Sequence, residues 1–294
     1  MRILNFGSLN IDTTYYVNHI AQPGETLSAD RVEVSVGGKG LNQTAALARG
    51  GARVWHAGLI GEDGTFLKKF LEDMGADTEF VRTTDCRTGS AMIQVDERGE
   101  NCIVLYGGAN QGMTKAYIDD VLRHLGSGDW LVLQNEINLL SYIIDTACER
   151  GMKIALNPSP FNDKLNFCDL HKCAMLLVNR VEAQQMTGEE EAPEALHRLL
   201  EMYPDMKVVL TVGKNGAYYG DRSGILLQRS ENVKVVDTTG AGDTFTGFFL
   251  ARFIETGDIK TAMRYGTAAA AISVTRKGAA QSMPTLEEIE IQPA

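Results

Sequence analysis

No apolar run in this chain approaches the ~20 residues needed to cross a bilayer, so a membrane span is excluded on length. No cluster of Lys and Arg reaches motif length, and a net charge of −10 opposes a nucleic-acid partner. The five cysteines (Cys86, Cys102, Cys148, Cys168 and Cys173) are odd in number and form no Cys-x-x-Cys pair. They are expected to be reduced thiols, which excludes a disulfide framework. The five histidines show no metal-ligand spacing, so no zinc site is expected. A GxxxxGK[ST] loop and a GxGxxG fingerprint are both missing, which removes P-loop nucleotide hydrolases and disfavours a dinucleotide oxidoreductase. Internal repeats, low-complexity segments and long linkers are absent. Residues 1–7 enter a strand pattern directly, without a signal-peptide apolar region, and a cytoplasmic location is the expectation.

What is present is an ordinary globular composition, 44% hydrophobic and 22% charged over 294 residues. That length suits one large α/β domain with a small addition, or two domains. Short apolar runs at 3–7, 54–60, 130–134, 153–156, 175–178 and 208–211 each stop at a polar or glycine turn. Helical patterns lie at 63–74, 139–150, 193–202 and 258–272. This rhythm predicts a parallel, doubly wound sheet. Parallel strands share a direction, so Glu136, Asn179, Glu182 and Asp243 should gather along one rim. Each alone reads first as a helix cap; together they favour a site. Residues 31–36 alternate, and 90–95 with 101–106 read as a hairpin. With 13–17 these would make a small separate sheet, a candidate lid. Its strands are apolar on both faces, which fits a second subunit or plain packing on the core.

The chain is organised around Asp237-Thr238-Thr239-Gly240-Ala241-Gly242-Asp243. A β-branched run at 233–236 reads as a strand, and an apolar helical pattern begins at Thr244. Backbone amides at such a helix start attract anions, and Gly240 and Gly242 let a phosphate approach the main chain. Asp243 beside that turn suits a general base acting on an attacking hydroxyl; a helix cap is the competing reading. A second glycine turn, Gly37-Gly38-Lys39-Gly40-Leu41-Asn42-Gln43, opens another helix. Gly37 and Gly38 permit backbone contact with a small ligand, while Lys39 and Asn42 would aim donors at its hydroxyls. Asn10 and Asp12 lie just past the first strand and share a face if extended; an Asx turn is the alternative. The stretch 274–282 is rich in groups that suit a hard cation.

These two glycine turns resemble the signatures of the PfkB sugar kinases, and within them the ribokinase group. The likeness extends to Gly-Ser-x-Asn-x-Asp at 7–12, Pro-Gly-Glu-Thr at 23–26, Gly-Ala-Asn at 108–110, Leu-Asn-Pro-x-Pro at 156–160, Asn-x-x-Glu at 179–182 and Thr-Arg-Lys-Gly-Ala at 275–279. The resemblance implies a ribokinase-like α/β fold: a doubly wound, mostly parallel sheet flanked by helices, with a small β-sheet lid. Residues 1–11, 37–86 and 107–294 would form the core carrying the nucleotide site, and 12–36 and 87–106 the lid over the sugar. The implied reaction is ATP-dependent phosphorylation of D-ribose to D-ribose 5-phosphate. The alternatives are a family kinase of another small sugar or nucleoside, or a non-catalytic sugar sensor.

Carried over by position, the resemblance places the sugar among Asn10, Asp12, Gly38, Lys39, Asn42, Glu136 and Asp243. Asp243 becomes the base, and Gly240, Ala241 and Gly242 the anion hole. Asn179, Thr211, Gly213, Lys214, Gly216, Gly242 and Thr267 would meet ATP. Asn179 and Glu182 would hold Mg²⁺ through water. Asp237, Thr239, Ser273, Arg276, Gly278 and Ser282 would hold an activating monovalent cation, K⁺. A homodimer through the lid sheet is also implied. Two positions depart from the pattern. Arg180 stands where ribokinases often have an acidic residue, and Thr267 where a larger residue is common near the adenine.

Overall fold

Residues 1–289 are described by a computed structural model. The chain opens with β1 (Ile3–Phe6), passes through β2 (Asn10–Tyr16) and β3 (Arg31–Gly37), and returns by α1 (Lys39–Arg49) to β4 (Val54–Gly61). Next come α2 (Thr65–Asp73), β5 (Asp77–Thr84) and the hairpin β6 (Gly89–Val95) and β7 (Asn101–Tyr106). Helices and strands then alternate through α3 (Lys115–Leu122), β8 (Trp130–Gln134), α4 (Leu140–Glu149), β9 (Lys153–Asn157) and β10 (Met175–Asn179). They continue through α5 (Arg180–Thr187), α6 (Ala192–Met202) and β11 (Lys207–Thr211). A second hairpin, β12 (Ala217–Asp221) and β13 (Gly224–Gln228), precedes α7 (Ala241–Thr256) and α8 (Ile259–Ser273).

Nine strands form the main sheet in the order β13-β12-β11-β10-β9-β8-β1-β4-β5. The pairs from β11 across to β5 are parallel, and β12 and β13 close one edge antiparallel. The expected doubly wound, mostly parallel sheet is therefore found. Side-chain alternation sorts the buried residues into two cores, one per face. Leu4, Phe6, Leu131 and Leu133 point toward α3, α4 and α6. Ile3, Trp130, Val132 and Val54 point toward α1, α2, α7 and α8. A second sheet, β3-β2-β6-β7, stands apart from the first. Its outer strand β7 is exposed along its whole length, and Ile103, Val104, Leu105 and Tyr106 are each more than half exposed, at 52–56%. Among the described residues no helix is long and apolar enough to cross a membrane.

Two readings of the organising stretch need correction. Residues 233–236 are not a strand: they pair with no strand of either sheet, and the main sheet ends at β13. Val236 N instead donates to the Val274 carbonyl at 2.7 Å, and Val233 and Val235 line a cavity. The following helix starts at Ala241 rather than Thr244, with Gly240 as its N-cap in the left-handed region at φ 72°. Strand β5, the β12–β13 hairpin and helices α3 and α5 were not anticipated from the sequence pattern.

Candidate active site

The site exists because backbones approach closely where glycine allows it. A Cβ at Gly7 would lie 2.6 Å from Gly40 Cα, so the first turn of α1 sits directly on the end of β1. A Cβ at Gly247 would lie 2.2 Å from Ala46 Cβ, so α1 and α7 pack nearly backbone to backbone. One turn earlier in both helices the facing side chains are polar. Asn42 Nδ2 donates to Asp243 Oδ2 at 3.2 Å, and Gln43 Nε2 donates to Asp243 Oδ1 at 2.9 Å. Asp243 is 7% exposed and does not cap its own helix, since Gly240 occupies that position. The helix-cap reading of Asp243 is thereby set aside.

Glu136 lies past the end of β8. It accepts from Lys39 N at 2.9 Å and from the Ser8 hydroxyl, and burial raises its carboxyl above the usual range. The Lys39 ammonium has no carboxylate within ion-pair distance among the described residues. Burial pulls its pKa down, but the charges of Asp243, Glu136 and Glu182 together outweigh that and raise it. Asp12 is pushed up to about 7, first by burial and then by the Glu136 charge. Asn10 accepts from Asn110 Nδ2 at 2.7 Å, and Asn110 Oδ1 accepts from Leu9 N, which ties β2 to the loop after β7. Two buried acceptors here, Asp12 Oδ1 and Asn42 Oδ1, have no partner. Orphaned buried acceptors are costly and mark a place where a ligand supplies donors.

Asp243 opens onto a polar cleft of 180 Å³ lined also by Lys39, Asn157, Ser159, Asn179, Glu182 and the 240–242 turn. A Cβ at Gly242 would meet nothing within 4 Å, so that turn presents bare backbone to the cleft. Beyond it lies a larger, mostly apolar cavity of 470 Å³. It gathers Thr211, Gly213, Lys214, Gly216, Gly242 and Thr267, all singled out from the sequence for the nucleotide. The two spaces share Thr211, Thr238, Ala241, Gly242 and Phe245. Thr267 Oγ1 donates to Met263 O at 2.8 Å, so its hydroxyl hydrogen is spent within its own helix.

Asn179 and Glu182 form a reciprocal capping box at the start of α5, with bonds of 2.9 and 3.0 Å. Only Glu182 Oε2 is used there, which leaves the other carboxylate oxygen of a residue lining the cleft. One carboxylate beside a phosphate-sized space fits Mg²⁺, which keeps its waters and binds few protein groups. Asp237 accepts from Thr239 N and Oγ1 and from Gly278 N, at 2.7–2.9 Å. Burial opposes its ionisation, but those bonds and the Lys277 charge outweigh it and hold the carboxyl below its usual range. Ser273 and Ser282 donate to Ala270 O and Ala279 O, which leaves their oxygen lone pairs available. Such a set fits a monovalent cation. Arg276, by contrast, pairs with Glu288 at 2.7 Å, so only its main chain is open to such a role. Ser8 and Asn110 were not read as site residues from sequence. Their signal is the Gly-Ser-x-Asn-x-Asp and Gly-Ala-Asn motifs they sit in.

The family described as pfkB family carbohydrate kinase matches residues 2–286. A ribokinase of Haemophilus influenzae is 35% identical over 294 residues, covering 96% of this chain and 95% of that protein. A deoxyribokinase of Salmonella typhi is 31% identical, covering 98% and 97%. The structure of Arabidopsis thaliana ribokinase complexed with ribose and ATP superposes with a TM-score of 0.86 at 27% identity, covering 98% and 97%. With both glycine turns in place around one cleft and the family matched almost end to end, the chain belongs to the pfkB family of carbohydrate kinases.

Proposed function

We propose that the chain transfers the γ-phosphoryl group of ATP to the 5-hydroxyl of D-ribose, with Asp243 as general base. One observation carries this reading. The buried Asp243 carboxylate, aimed by two amides, lines the same cleft as Lys39, Glu182 and the bare 240–242 turn, and that cleft runs into the cavity over Thr211 and Thr267. A hydroxyl placed at Asp243 therefore faces an anion arriving from the other side.

The steps follow from these groups. The sugar docks by donating hydroxyls to Asp12 and Asn42, satisfying their orphaned oxygens. Asp243 takes the proton of the primary hydroxyl as its oxygen attacks the γ-phosphorus in line. The amides of Gly240 and Gly242, at the positive end of α7, receive the charge that develops on the transferred group, whereas the Ala241 N–H already donates to Thr238 O at 3.2 Å. The Lys39 ammonium, held charged by three carboxylates, adds to that field. Asn179 and Glu182 would hold Mg²⁺ through water, and the metal neutralises phosphate charge when bound. Asp237, Thr239, Ser273, Ser282, Gly278 and the Arg276 main chain would hold K⁺ beneath the same turn. The sheet β3-β2-β6-β7 serves as the lid, and its apolar strand β7 as the contact of a homodimer.

A second reading is a kinase of 2-deoxyribose, favoured by the 31% identity to a deoxyribokinase. The two sugars differ by one hydroxyl. A site with unpaired buried acceptors rejects an analogue that leaves one unpaired. Coupled ADP detection over ribose, 2-deoxyribose, other pentoses, ketohexoses and nucleosides tests the assignment. Ribose should give the highest kcat/KM; a better substrate would replace it, and sugar binding without ADP release would make the chain a sensor.

A further inference from the structure

Beneath the first turn of α1, three polar side chains interrupt a strand face that is otherwise apolar. Asn5 on β1, Gln134 on β8 and His56 on β4 point into the core formed with α1 and α7, and all three are fully buried. Asn5 and His56 face each other across the β1–β4 pair. Exchanging a buried polar set for apolar residues of similar shape is often close to neutral in stability, so the polar set calls for another reason.

Its hydrogen bonds form one directed chain ending on Asp243. Thr44 Oγ1 accepts from Asn5 Nδ2 at 2.8 Å and faces His56 Nδ1 at 2.7 Å. Asn5 Oδ1 accepts from Gln134 Nε2 at 3.1 Å, and Gln134 Nε2 also donates to Gln43 Oε1 at 2.7 Å. Gln43 Nε2 donates to Asp243 Oδ1. Each amide is oriented by the next, because turning any one would set acceptor against acceptor. We propose that Gln43 is a positioning residue for Asp243, and that Gln134 and Asn5 lock which way its amide points. The chain is not a route for the proton: amides do not titrate, and burial holds His56 down to about 3.

This inference rests on Asp243 being the base. The charged groups that face Asp243 are Lys39 from the α1 turn and Glu136 from the end of β8, with Glu182 from α5 lining the same cleft. Helix α8, packed against α7, contributes Thr267, Ala270 and Ala271 to the adjoining cavity, none of them ionisable.

The test is the pH dependence of kcat for the parent, Gln43→Met, Gln134→Glu and Gln134→Met, with Asp243→Asn as the control for the base. The readout is phosphorylation of the best sugar in the panel, with melting curves to verify folding. Gln43→Met removes the donor to the carboxylate, so kcat at pH 7 should fall about 10-fold and its acidic limb should move up by about one pH unit. Nucleotide KM should stay within twofold. Gln134→Glu touches no atom of Asp243, yet once ionised, at the alkaline end of the profile, it replaces the donor facing Gln43 with an acceptor. The Gln43 amide should then turn its oxygen toward Asp243 and move the limb the same way. Gln134→Met, which carries no charge, should give a smaller shift in that direction and decides the matter if the charged variant fails to fold. An acidic limb that stays in place in Gln43→Met and Gln134→Met while Asp243→Asn lowers kcat by roughly 10²–10⁴ overturns the positioning role and leaves the base intact. Turnover near that of the parent in Asp243→Asn overturns both.

Discussion

Asp12 should make the empty enzyme less stable as pH rises. Its pKa goes from 3.8 to about 7 on folding, with burial as the main cause and the Glu136 charge as the second. In the unfolded chain Asp12 gives up its proton above 3.8, whereas the folded protein keeps it until about 7. The unfolded state thus binds fewer protons across that window, so stability falls as pH climbs through it and levels off above. At 1.36 kcal/mol per pKa unit the full penalty is on the order of 4 kcal/mol, more than half of which accrues between pH 5 and pH 8. Asp12→Asn removes the ionisation and keeps the size. Its remaining cost, an amide without partners, does not depend on pH. The Tm of the variant minus that of the parent, measured without sugar, should therefore be about 5 °C more positive at pH 8 than at pH 5. Sugar hydroxyls donate to the ionised form, so parent affinity for sugar should rise through pH 7 with release of a proton. Equal Tm differences at the two pH values would refute the reasoning.

Four further outcomes follow from the same structure. Gly247→Ala places a methyl 2.2 Å from Ala46 Cβ and should cost about 1–3 kcal/mol. Gly242→Ala meets nothing within 4 Å, so it should melt like the parent while losing turnover, because its methyl projects into the cleft meant for phosphate. Glu182→Gln keeps an acceptor for Asn179 N but loses the charge, so the Mg²⁺ needed for half-maximal rate should rise about 10-fold, and an unchanged titration would remove Glu182 from that role. Ile103→Glu on the exposed face of β7 should convert a dimer to a monomer in sedimentation equilibrium; a monomeric parent would contradict the dimer.

The sequence was most readable where glycine spacing reports a close approach. The turns at 37–40 and 240–242 were located from residue type alone, and packing of α1 on α7 brings them to one cleft. Strands buried on both faces were readable because they are continuous apolar runs. The run at 233–236 is also rich in valine, but a strand needs a partner, and Val233 and Val235 wall a cavity instead. The β12–β13 hairpin was missed because Tyr219-Gly220-Asp221 carries turn residues inside the strands. Asn5, His56 and Gln134 were passed over as members of apolar runs. A polar residue in a strand with no solvent face is itself the signal, since it must find a partner in the core. What the sequence could not show is the direction of each amide, which depends on contacts between residues as far apart as Gln43 and Asp243.

Sugar binding and turnover measured side by side in Asp243→Asn put the most direct question to the base. Ribose affinity should stay within a few-fold of the parent while kcat drops by roughly 10²–10⁴. Turnover near that of the parent, in a variant that binds sugar and melts normally, would contradict the assignment.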